Sequence, residues 1–211
     1  MSVRSSVVVV CAFFLISAGA ANGQGLAPLQ SKLKDVYGSM LGNALPDIAT
    51  GEASILEASG KKDKASQMRA AAEKMRQGAT LAPDENTAKA AIKSVSNVAN
   101  DVSDSTVAQS GQLSDSAKTL FIEGVTKYVS GVVKLKGLQG DASQLSTLAG
   151  TAGQGLSMMD AVRARGTMSL AKIVASGVPD VTTKSIEGLQ AIKKYAASRN
   201  IKIPANLLKD F

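Results

Sequence analysis

The chain contains no histidine, no tryptophan and a single cysteine among 211 residues. Without histidine there is no Ser-His-Asp triad, no imidazole metal site and no histidine proton shuttle. One cysteine gives no intrachain disulfide framework and no cysteine-ligated zinc or iron–sulfur site. Aromatic residues make up only 3% of the chain. An interior must therefore be built from Ala, Val, Leu, Ile and Met, around Tyr37, Phe121, Tyr128, Tyr195 and Phe211. No metal ligand set and no cofactor motif emerges from these residues, and the reading is of a non-enzymatic protein.

What is present begins with an address. Arg4 precedes an apolar run, Val7 to Ile16, and Ala18-Gly19-Ala20 follows with the small-x-small pattern that signal peptidase accepts. Residues 1–23 read as a cleaved secretory signal peptide and 24–211 as one exported domain, periplasmic or extracellular. The run falls short of the roughly 20 apolar residues of a spanning helix. Val10 stands before Cys11 where a lipoprotein needs a small residue.

The remaining chain reads as helices. Leu29, Leu33, Val36, Met40 and Leu41 mark one face of a helix ending near Gly42-Asn43. A second helical stretch runs from Asp47 toward Gln77, with a turn expected in the polar segment Ser59 to Lys64. Pro83-Asp84-Glu85 starts another, whose stripe runs from Ala88 to Val102, before a polar stretch from Ser103 to Gln112. Ser114 caps a strongly amphipathic segment with Ala117, Phe121, Val125, Tyr128, Val132 and Leu135 on one face. Gly137 to Gly140 reads as a loop, and Asp141 to Gln144 as a capping box opening the next helix. Gly177-Val178-Pro179 reads as a stop, Asp180 as a new cap, and Arg199-Asn200 as the final end. No run alternates apolar and polar residues over strand length. The fold class is all-α, a single-domain bundle of about six to eight helices. Ile122-Glu123-Gly124 and Ile186-Glu187-Gly188 share a tripeptide, too short a match to establish a repeat.

Several motifs approach a chemistry and fail it. Ser31 with Lys34 and Ser169 with Lys172 have the Ser-x-x-Lys spacing of a hydroxyl nucleophile beside an amine base. The accompanying Ser-Asp-Asn and Lys-Thr-Gly elements are missing, so a Ser/Lys or carboxylate hydrolase is the least favoured function. Asp101, Ser103 and Ser105 start a calcium-loop pattern, but Thr106 and Gln112 replace its required Gly and Glu. Gly60-Lys61 lacks the rest of a phosphate loop. Met158, Met159 and Met168 have no His or Cys to help them hold a soft metal. A final Phe211 carries no weight without the alternating strands of a membrane barrel.

Two features remain. Gly124 and Gly131 lie two turns apart on one side of a helix, where each interior glycine costs roughly 1 kcal/mol. Close packing by a neighbouring helix explains them; a groove admitting an apolar ligand, lined by Phe121, Gly124, Tyr128 and Gly131, is the sharper alternative. The net charge is +7. From Lys172 onward seven bases face three acids, and Lys184, Lys193, Lys194, Arg199 and Lys202 are the candidate contacts to an anionic surface. Nucleic acid is excluded as a partner, since no aromatic residues interleave with these cations as stacking platforms. The leading expectation is an exported helical bundle binding a protein partner or an apolar, lipid-like ligand. The alternative is peripheral contact with an anionic envelope surface through the basic C-terminal helix.

Overall fold

The computed structural model describes residues 26–96, 100–101, 113–152, 154, 156–209 and 211. The expected leader at 1–23, Val98, Val102 and the polar stretch 103–112 lie outside the described residues. Those described are all-helical, with no strand among them.

The first rod is α1 (Leu26–Ser39), a π-helical turn (Met40–Ala44) and α2 (Leu45–Ala58) in one continuous path. The expected end at Gly42-Asn43 is therefore absent. Instead the Leu45 amide donates to the Met40 carbonyl, five residues back, while Ser39 and Leu45 stay in right-handed helical geometry. Pro46 supplies the reason for the wider turn. Its ring has no amide hydrogen and would crowd the carbonyl of residue 42 in a regular helix. Gly60, with φ 82°, ends the rod in the left-handed conformation that glycine adopts without penalty.

Helix α3 (Lys62–Ala79) returns along α2, and α4 (Glu85–Val95) opens where Asp84 accepts the Thr87 amide at 2.7 Å. Helices α5 (Asp115–Thr151) and α6 (Met158–Ser198) form a long antiparallel hairpin. Ser114 and Ser157 cap them, each accepting a backbone amide at 3.2 Å. A short 3-10 turn (Ala205–Leu207) follows, and the Phe211 ring lies beneath the Lys136 ammonium, 4.9 Å away.

The expected loop at Gly137 to Gly140 and the expected stop at Gly177-Val178-Pro179 are both uninterrupted helix. Consequently Asp141 and Asp180 are mid-helix residues, not caps. In α5, Phe121, Tyr128, Leu135, Ala142 and Ala149 repeat every seven residues and are all buried. In α6, Ala171, Val178, Ser185 and Ile192 do the same, as do Val174, Val181, Gly188 and Tyr195. Each large apolar side chain so buried contributes roughly 1.5–3 kcal/mol. A stripe of that kind outweighs about 1 kcal/mol per interior glycine. Pro179 is exposed, so its ring lies on the solvent side of α6.

One cluster of buried apolar residues joins every described helix. Its tightest seam lies between α2 and α5, which run antiparallel. A Cβ on Gly51 would meet the Gly124 carbonyl at 2.6 Å. One on Gly124 would meet the Gly51 carbonyl at 2.8 Å, and one on Gly131 the Ala44 carbonyl at 2.7 Å. At Gly51 the two main chains meet with no side chain between them, while Ile55 and Ile48 of α2 also crowd Gly124 and Gly131. Asp47, buried beside this seam, receives Lys134 at 2.5 Å and Lys127 at 3.2 Å from α5. Burial raises the Asp47 carboxyl, but the two lysines outweigh it and hold it below its ordinary value.

Candidate functional site

Phe121 and Tyr128, two of the four candidate groove residues, are fully buried. Phe121 stacks on Tyr195 with centroids 5.5 Å apart. Tyr128 donates its hydroxyl proton to the Ser185 carbonyl at 3.0 Å. The space beside Gly124 and Gly131 is taken by Ile55, Ile48 and the α2 main chain. Helix contact accounts for both glycines.

The five C-terminal cations do not share a face. Lys193 follows Lys184 by nine residues, which at about 100° per residue puts it on roughly the opposite side of α6. Lys184 pairs with Asp180 at 2.9 Å. The Arg199 guanidinium lies over the Tyr195 ring, 5.7 Å from its centroid. Lys194 and Lys202 are exposed, Lys202 beyond the helix end.

The Ser-x-x-Lys pairs form no nucleophilic dyad. Ser31 and Lys34 are both exposed. The Ser169 hydroxyl serves Glu85, whose carboxyl it holds below the ordinary range together with Lys89. Asp101, first in the calcium-loop pattern, pairs with Lys64 and accepts Lys61 through its carbonyl at 3.1 Å; the other positions of that pattern lie outside the described residues.

The geometry brings other residues together. Between α4 and α6 lies an open hollow of about 660 Å³, within the range of small-ligand sites. Ile92, Ile173 and Gly177 form its floor; Lys89, Lys93, Lys184 and the acid Asp180 line its rim, with Ser96 and Ser176, whose hydroxyls donate to the carbonyls of Ile92 and Ile173. Gly177 is what lets the floor form, because the Ile92 side chain occupies the place where a Cβ on residue 177 would stand. Lys89 pairs with Glu85 at 3.2 Å and Lys184 with Asp180, whereas Lys93 makes no ion pair among the described residues. A hollow with an apolar floor and a rim of three lysines against one aspartate matches a ligand with an acidic head and an apolar body. Only Lys184 of this set was singled out in the sequence. Gly177 carried a signal, a glycine inside a strong helical stripe, which local reading assigned to a helix stop.

A second polar feature is sealed off. Glu52 of α2 is 1% exposed, and its Oε2 has no hydrogen-bond partner among the described residues. Burial, and secondarily the Asp101 charge, push its carboxyl up to about 8 against a smaller opposing pull from Lys64. It is therefore mostly protonated at neutral pH. The Ser185 hydroxyl is likewise buried without a partner among the described residues. Burial raises the Tyr128 phenol, as does the nearby Glu52, against its bond to Ser185. No alternation or spacing in the sequence marks Glu52; its isolation comes from the close approach of α5 beside Gly51.

Comparison with known proteins finds no matching family, no matching curated protein and no matching solved structure.

Proposed function

We propose that this chain is an exported, non-enzymatic helical bundle, released from its leader at residues 1–23, that holds a lipid-like anionic amphiphile in the hollow between α4 and α6. The observation that carries the reading is the pairing of an apolar floor at Ile92, Ile173 and Gly177 with the lysine rim. An acidic head would sit at Lys93, which has no competing ion pair among the described residues. The ligand's tail would cover the two isoleucines. The spread of the C-terminal cations around α6 favours this hollow over a flat contact made by Lys184, Lys193, Lys194, Arg199 and Lys202 together.

Calorimetric titration with a medium-chain fatty carboxylate tests it. Binding is expected in the unmodified chain. Lys93→Glu with Lys184→Glu should weaken it at least about ten-fold, equivalent to about 1.4 kcal/mol, and Ile173→Gln should do the same through the floor. Unchanged affinity in both variants, or no heat with the unmodified chain, would remove the hollow as the site. A matching uncharged alcohol should bind less tightly than the carboxylate. An acidic peptide that binds while the carboxylate does not would shift the reading to a protein partner.

A further inference from the structure

The first turns of α6 carry a surface that the hollow does not use. Met158 is 87% exposed, Met159 70% and Val162 61%. They are three of only five large apolar side chains exposed among the described residues, and the only group of them adjacent in the chain. The rest of the molecule sorts its apolar residues inward efficiently, which makes this cluster an exception rather than background.

Its arrangement is specific. At about 100° per residue, Met158, Val162 and Met159 span an arc of roughly 100° on α6. Ala164, buried, points away from that arc and ties the helix to the bundle. Arg165 falls about 20° beyond one edge of the arc and Arg163 about 40° beyond the other, and both are exposed. Asp160, the only acid in these turns, lies about 60° beyond Arg163; it is exposed and occupied with the cap, its Oδ2 accepting Ser157 Oγ at 2.6 Å and its amide donating back at 3.2 Å. An apolar strip bordered on both sides by cations, with the acid engaged in the helix cap, is the layout of a helix that lies in a lipid headgroup region.

We infer that this outward face at the start of α6 docks on an anionic phospholipid surface. Two observations choose lipid over a protein partner. Three side chains expose a few hundred Å² at most, well below the roughly 800 Å² that each partner contributes to a stable protein interface, yet enough for shallow insertion between headgroups. The flanking charges are both positive, so the face would repel a second copy of itself and attract phosphate. This rests on the tip alone and stands whether or not the hollow takes a ligand.

The chain has no tryptophan, so Met158→Trp in the full chain gives a single local reporter. Its emission should lie at the exposed position in buffer. Phosphatidylglycerol-containing vesicles should shift it to the blue and brominated phospholipid should quench it, whereas pure phosphatidylcholine vesicles should do far less. In the Met158→Trp background, Arg163→Gln with Arg165→Gln should weaken the anionic-vesicle response by roughly 25-fold, about five-fold for each cation near the surface, and high salt should mimic that loss. Lys194→Gln with Lys202→Gln, at the other end of α6, should leave it unchanged. Lipid affinity of the N-terminal apolar run would not depend on Arg163 and Arg165, so the paired-Gln variant separates the two. The inference is overturned if emission ignores anionic vesicles, or if neutral vesicles act equally. It is also overturned if the reporter is already blue-shifted in buffer, which would mean that the N-terminal segment or a second copy covers the face.

Discussion

Gly51 of α2 rests directly on the main chain of Tyr128 in α5, and no side chain fits between them. Gly51→Ala should therefore destabilise the protein by about 1–3 kcal/mol or more, the cost of forcing a carbon into a filled seam whose neighbour is backbone. Gly38→Ala is the matched control: its added carbon meets nothing within 4 Å. Chemical denaturation should show a loss for the first and a small gain for the second. Equal midpoints would mean that α2 and α5 do not meet as described.

Glu52 makes stability depend on pH in an uncommon direction. Its carboxyl is raised from the ordinary 4.5 to about 8 in the folded state. The folded chain thus keeps a proton that the unfolded chain gives up. The stability this contributes is complete below about pH 4.5 and is lost as pH rises toward 8, at roughly 1.4 kcal/mol per pH unit across that window. Glu52→Gln keeps the shape and removes the titration. Denaturation midpoints measured between pH 5 and 8 should fall for the natural chain and stay flatter for the variant; parallel curves would show that Glu52 is not the buried acid.

Asp47 works in the opposite sense. Lys134 and Lys127 hold it below its ordinary value despite burial, so its contribution is present above the unfolded carboxyl range and fades as pH falls through the lowered one. Asp47→Asn should cost about 1–3 kcal/mol at neutral pH, and the loss should shrink in acid. Lys127→Met with Lys134→Met should reproduce much of it. A neutral-pH midpoint unaffected by Asp47→Asn would dismiss the clip.

Gly137 and Gly140 lie on the solvent side of α5, and a Cβ at either meets nothing within 4 Å. Each change to alanine should stabilise the protein by about 0.5–1 kcal/mol through helix propensity alone. Were these residues in a loop, alanine would give no such gain, so the pair also tests the continuity of α5.

Those two glycines show where the sequence was legible and where it was not. The heptad from Phe121 through Leu135 could be read directly, and so could the helix start at Pro83-Asp84-Glu85, the cap Ser114 and the helix end at Asn200. The all-helical class follows from such stripes. Reading failed where local propensity and tertiary burial disagreed. Gly137 to Gly140 and Gly177 to Pro179 look like ends when only neighbours are weighed, yet Ala142, Leu145, Val178 and Val181 carry the buried stripe straight through them. The candidate hollow was hidden for a related reason. Lys93 and Ile173 lie far apart in the chain, and nothing but the packing of α4 on α6 brings them to one surface. Glu52 gave no signal because its burial depends on which helix lies opposite, not on its own neighbours.

The glycine seam has a mechanical consequence. Side chains ordinarily act as a compliant layer between helices, able to change rotamer when one helix slides. Where Gly51, Gly124 and Gly131 put carbonyl against backbone, that cushion is missing. A rotation of α2 is therefore expected to carry α5 with it along this seam.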